Sequence, residues 1–218
     1  MLAFLWCCSN ALAADRLTFT ARWMGLDAGV AEAESVVTEG VRVVTVTARN
    51  AGWLDSLYPI DDRIVSRAGT EGGSLLYQTT FREGRFLQDQ EMRFTGGGVD
   101  VARSQFEDGR WNQYSSHYSS PAGVEDPVSA FYRIREADLQ VGDVRHMAVF
   151  NGKRTLDIVV TCIGSAPAPS GEPVRHITLV SASEGDFRGG IDLYLSASNV
   201  PVLVVVQTRA GPVRIEVQ

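Results

Sequence analysis

Three kinds of side chain in this sequence could act on a substrate: a thiol, three imidazoles and two adjacent carboxylate pairs. Cys162 stands in an apolar, strand-like run, Leu156 to Ile163. A lone thiol there reads as a small buried hydrophobe. As a nucleophile it would need a base beside it, and His117, His146 and His176 all lie elsewhere in sequence. The histidines do not share metal-ligand spacing with one another or with a carboxylate. Asp61–Asp62 and Glu125–Asp126 are neighbours in sequence, and neighbours on a strand point to opposite faces. Both pairs are therefore expected to cap or end elements. Gly96, Gly97 and Gly98 have no helix behind them to hold a phosphate, and no Gly-x-Ser-x-Gly elbow occurs. The sequence offers no catalytic constellation, metal site or cofactor site.

Binding residues are easier to nominate. Residues 127–135 carry a helix signal. Asp126 suits the N-cap, where its carboxylate can accept from the free amides of the first turn. Pro127 suits the first helical position. Val128, Phe131 and Ile134 recur at a spacing of three, giving one apolar stripe. Arg133 and Arg135 complement the carbonyl end. A second break, residues 50–62, holds Trp53, Leu57 and Tyr58 and ends its apolar part at Pro59. These five residues, Trp53, Leu57, Tyr58, Phe131 and Ile134, are the candidate ligand contacts. The two segments would act as plug or lid.

What must position them is a sheet. Leu17, Phe19, Ala21 and Trp23 alternate with polar residues, the period of a half-buried strand. Similar runs follow, separated by turn signals at Glu39–Gly40, Glu83–Gly84, Gly96–Gly98, Asp108–Gly109 and Asn151–Gly152. Residues 164–173, with three prolines, read as an excursion. Residues 202–206 are continuously apolar and belong at the centre of a sheet. The expectation is an all-β chain of roughly a dozen strands. It should form a single antiparallel meander curled into a barrel or half-barrel, with one short helix at 127–135.

Composition narrows the partners. The 218 residues carry a formal charge of −6, and Lys153 is the single lysine. That surface does not suit nucleic acid. Residues 1–14 are apolar and end in Ala11-Leu12-Ala13-Ala14, a small-x-small cleavage pattern without the usual basic start. They read as a signal peptide, leaving 15–218 as one β-barrel-like domain. The apolar run is too short for a membrane span of about 20 residues. The expected location is periplasmic or secreted.

At residues 126–135, Asp-Pro-Val-Ser-Ala-Phe-Tyr-Arg-Ile-Arg, the chain resembles a family of exported bacterial proteins, the domain of unknown function (DUF) family 3108. Residues 17–29 resemble its opening aromatic strand and Gly-x-x-x-Gly turn. Leu139-Gln140-Val141-Gly142-Asp143 with Asn151-Gly152-Lys153, and Asn199-Val200-Pro201-Val202, resemble its later motifs. Leu193-Tyr194-Leu195-Ser196 departs from the pattern, which has a tryptophan-containing strand there. The resemblance implies an exported, mostly β protein and brings no reaction or cofactor. By fold analogy, a curved sheet over a short helix looks like the periplasmic lipoprotein carriers, which bind acyl chains.

The sequence therefore points to a non-enzymatic binding or carrier module for a lipid or other apolar ligand. The alternative is a structural or assembly protein of the cell envelope. It would work through its outer surface, with the aromatic and polar residues 111–118 as the contact face to an envelope protein.

Overall fold

The computed structural model describes residues 15–55, 58–167, 171–182, 190–208 and 211–218. The signal peptide expected at 1–14 and Leu57 lie outside the described residues. Fourteen strands form a single antiparallel sheet. The first eight are β1 (Asp15–Trp23), β2 (Leu26–Thr38), β3 (Val41–Asn50), β4 (Asp61–Gly69), β5 (Ser74–Glu83), β6 (Phe86–Thr95), β7 (Gly98–Glu107) and β8 (Arg110–Ser119). Then come β9 (Val144–Phe150), β10 (Thr155–Pro167), β11 (Pro173–Ser181), β12 (Ile191–Leu195), β13 (Pro201–Thr208) and β14 (Gly211–Val217). A one-turn helix, α1 (Gly52–Asp55), precedes β4, and α2 (Pro127–Glu136) lies between β8 and β9.

Every strand pairs with its neighbour in sequence except across one seam. The first and last strands pair with each other, Phe19 opposite Val217 and Trp23 opposite Val213. The two edges are therefore β8 and β9, and the sheet curls without closing. The connection from one edge to the other carries α2 into the concave side. On the way it ties down part of the β9 edge. The Glu125 amide donates to the Ala148 carbonyl at 2.9 Å, and the Phe150 amide donates to the Glu125 carbonyl at 2.8 Å.

Several local expectations are redrawn. The turn after β1 is only Met24–Gly25, and β2 begins at Leu26. Residues 164–167 continue β10, because Pro167 and Pro173 pair at strand ends, where a missing amide breaks no interior ladder bond. The β9–β10 loop spans four residues. Its Asn151 side chain accepts from the Lys153 and Arg154 amides, so asparagine acts through its side chain and not through positive φ.

The core divides into two clusters inside the curl. One joins Ile134 and Leu139 to Val160, Cys162, Ile177, Leu193 and Leu195. The other joins Tyr77, Met92, Val99 and Val101 to Val124 and Phe150, with Val128 packed against it. The helix thus serves both: Val128 faces the β5–β7 side, and Phe131 and Ile134 face the β10–β13 side.

Candidate functional site: an apolar cavity against the helix

The helix start is held by a buried polar knot. Asp126 is fully buried. Its Oδ1 accepts from the Val128 and Ser129 amides at 2.8 and 3.0 Å. Its Oδ2 accepts from Ser66 and Ser74 hydroxyls at 2.8 and 2.7 Å. Ser129 completes a capping box by accepting from the Asp126 amide at 3.1 Å. Burial pushes the Asp126 carboxyl above the ordinary aspartate range, opposed by hydrogen bonds from Ser74, Ser129 and Ser66.

Glu125 does not point away from Asp126 as strand alternation implies. Glu125 makes only an isolated bridge to Val149 and Asp126 is the helix cap, and both carboxylates reach Ser74. Glu125 Oε2 lies 3.4 Å from the Ser74 hydroxyl. Glu125 Oε1 accepts from Gly73 N and Arg133 Nε, both at 3.2 Å. Arg133 also donates to the Thr70 and Gly69 carbonyls at 2.9 and 3.1 Å. At the far end Arg135 pairs with Asp15 and donates to the Asn199 carbonyl. The buried Tyr132 ring sits between the Arg42 and Arg135 guanidiniums, 5.1 and 5.5 Å from its centroid. Both termini of α2 are thereby fixed to the sheet by charged groups.

Between these anchors the middle of the helix does not fill the curl. A cavity of about 270 Å³ lies against Pro127, Ala130, Phe131 and Ile134. Its other wall is Val149, Leu156, Ile158, Leu179, Ile191, Leu193 and Val204, from β9 through β13. Asn151 is the one polar residue among its lining side chains. At about 30 Å³ per water-sized group, the space suits on the order of nine linked methylenes. The pocket is partly open to solvent at Pro127, and its apolar walls favour hydrocarbon over water.

The inner face of β5–β7 is different. Thr79 pairs with Gln90, and Gln90 with Arg103, on the face that carries Tyr77, Met92 and Val101. Arg103 donates to the Gly152 carbonyl at 3.2 Å. Thr79 Oγ1, Gln90 Nε2 and Arg103 Nε are buried without a protein partner. The β9–β10 loop therefore separates an apolar cavity, at Asn151, from a polar inner surface, at Gly152.

Of the five nominated residues, Phe131 and Ile134 line the cavity, and Ile134 is also part of the packed core. Trp53 and Tyr58 do not line it. The Trp53 indole donates to the Asp27 carbonyl at 2.8 Å at the start of β2, and the Tyr58 ring packs over Gly84. The strand residues of the cavity went unnominated. Alternation marks them as facing inward, but no local signal says which strands face the helix.

The chemistry-capable residues are dispersed. Cys162 is buried in the β10–β13 core. Each histidine pairs instead with an aspartate on a neighbouring strand: His117 with Asp100 at 2.7 Å, His146 with Asp157 at 3.0 Å and His176 with Asp192 at 2.8 Å. Among the described residues, no three His, Cys, Asp or Glu side chains gather as a metal site. No described helix is long and apolar enough to cross a membrane.

A solved structure of a β-barrel-like protein of domain of unknown function DUF1849 from Brucella abortus is similar to this chain. The TM-score is 0.61, with 94% of each chain covered and 11% identity, so the likeness concerns the fold alone. Among curated proteins none matches. The sequence profile described as "protein of unknown function (DUF3108)" matches residues 18–218. The chain belongs to the DUF3108 family.

Proposed function

We propose that this protein is an exported, non-enzymatic binding module that carries an apolar ligand in the cavity between α2 and β9–β13. One observation carries the reading: a cavity of about 270 Å³ is lined, apart from Asn151, entirely by apolar side chains. A chain that needed only a plug would pack this space, since interiors normally leave few voids larger than a water. The charged anchors at both ends of α2 keep the helix from collapsing into it. The proposed ligand is a hydrocarbon chain of a lipid, and the proposed location is the periplasm or the exterior.

Native mass spectrometry of the purified protein, with solvent extraction of the same sample, tests this. The expected result is a single apolar adduct, or uptake of one added fatty acid. Protein that contains no such molecule and takes up none would overturn the reading. Cell fractionation should place the protein outside the cytoplasm, and a cytoplasmic pool alone would remove the location.

A second reading has its own observation. Strand β8 is a free edge, and Trp111 and Tyr114 are about half exposed on it. Free edges recruit partner strands, which suits an envelope assembly role. Pull-down after crosslinking should then recover one stable envelope partner, lost on Trp111→Ala with Tyr114→Ala; unchanged recovery would discard this face.

A further inference from the structure

Among the described residues, three two-residue turns have positive φ at both central positions: Met24–Gly25, Glu39–Gly40 and Asp108–Gly109. This geometry favours Asn, Asp or Gly at the first position, because other side chains crowd the backbone there. Asp108 meets that preference, and Glu39, which does not, is at least charged and exposed. The third carries methionine at φ 52°, 77% exposed, between Trp23 and Leu26, which are also exposed. The apex of the β1–β2 hairpin is therefore strained and apolar at once, where a polar residue would fold better and dissolve better.

The surroundings reinforce the pattern. Trp53, half exposed on α1, is fixed beside the hairpin by its bond to the Asp27 carbonyl. The nearby charges balance: Arg22 and Arg214 stand beside Asp27 and Glu216. Arg22 donates to Asp27 and to Glu216, each at 2.8 Å. The tip is thus an apolar projection with a compensated rim. The tip is also continuous with the cavity wall. Cross-strand pairs join Trp23 to Val213, Val213 to Val206 and Val206 to Ile191. Directly paired residues share a face, and Ile191 lines the cavity. One apolar row leads from the tip across three strand spacings, about 14 Å, to the proposed ligand.

We propose that the β1–β2 tip, Trp23, Met24 and Leu26 with Trp53 beside it, docks this protein on the surface of a lipid bilayer. The apolar row then connects the bilayer to the cavity. Tryptophans with methionine and leucine at a convex apex suit the boundary between headgroups and acyl chains. The charge-neutral rim suits zwitterionic lipid, and the protein's acidic balance gives no attraction to anionic lipid. The exchange of ligand rests on the carrier reading; the docking rests on the tip alone.

Flotation of the purified protein with phosphatidylcholine vesicles is the test. Wild type should float with the vesicles. Met24→Asn, which suits the turn better than methionine, should lower the partition coefficient at least tenfold, and so should Leu26→Thr. Leu75→Ser, an equally exposed leucine elsewhere on the sheet, should not change it. Wild type that does not float, or Met24→Asn and Leu26→Thr that float as well as wild type, would overturn the proposal. So would a wild-type dimer that Met24→Asn dissociates without any effect of vesicles. Loss of flotation in Leu75→Ser would also overturn it, because the adhesion would then not belong to the tip. Ligand uptake in the same preparations is scored separately, so a failed cavity and a failed tip are told apart.

Discussion

The Ser74 hydroxyl grips Asp126 twice, lying 2.7 Å from its Oδ2 and 2.7 Å from its backbone nitrogen. One serine at the start of β5 thus fixes both the cap side chain and the main chain of a helix 52 residues later in sequence. The open sheet and the helix inside it are fastened together at this point.

Asp126 should reveal itself through pH. Its folded carboxyl titrates above the unfolded aspartate value of about 3.9. A group raised in the folded state contributes most stability below its unfolded pKa and loses that contribution as pH rises through the folded value. Asp126→Asn keeps an oxygen for the Val128 and Ser129 amides but cannot ionise. The Tm of Asp126→Asn relative to wild type should therefore rise from pH 4 upward and level off above the folded pKa. Glu83, also raised by burial and Asp62, gives both proteins the same slope and cancels in the difference. A difference that is flat in pH would contradict the account. Asp126→Ala should instead cost about 2–4 kcal/mol, from the lost cap and the stranded serine hydroxyls.

Arg133 should matter more than its partial exposure suggests. Arg133→Ala leaves the buried Glu125 carboxylate without its cation, takes the Arg133 donor from the Thr70 carbonyl, and leaves the Gly69 carbonyl with the Gly72 amide alone. The arginine is about one-third exposed, so solvent screening lowers the expected loss to about 2 kcal/mol. Urea unfolding measures it. Arg133→Lys should recover only part, because one ammonium cannot reach all three acceptors.

Much of this framework is legible in the sequence, for physical reasons that can be named. Alternation gives away β1, and Asp126, Pro127 and the three-residue stripe give away α2, because these signals are local. The cavity is legible only from one side. Phe131 and Ile134 belong to the helical stripe, whereas Leu156, Leu179 and Leu193 meet the helix through pairings fixed by distant strands. Openness of the sheet is invisible for the same reason: it depends on β1 meeting β14 and β8 failing to meet β9. Trp53 and Tyr58 read as lid residues because they are aromatics in a break between strands; their partners, the Asp27 carbonyl at the start of β2 and Gly84, are set by pairings that no local signal gives. The convergence of Glu125 and Asp126 on Ser74 depends on where β5 places that serine, which no local signal gives.

Cys162 should be chemically silent while the protein is folded. It has no exposed surface and sits among Ile134, Leu139 and Ile177. A thiol probe should leave it unmodified under native conditions and label it in denaturant, with the product located by peptide mass. Rapid native labelling at Cys162 would show that the β10–β13 core opens. Cys162→Ser should destabilise more than Cys162→Ala, since the hydroxyl would enter this core without a partner.

The central claim is that the cavity against α2 takes an apolar ligand. Calorimetric titration with 1-octanol, whose chain matches the length the space admits, comparing wild type with Ala130→Leu, tests it most directly. Ala130 lines the cavity from the helix, and leucine keeps the helix while filling much of the space. Wild type should bind one equivalent. Ala130→Leu should remain folded, shown by an unchanged or higher Tm, and bind at least tenfold more weakly. Equal binding by the two proteins, or no binding by wild type, would contradict the account.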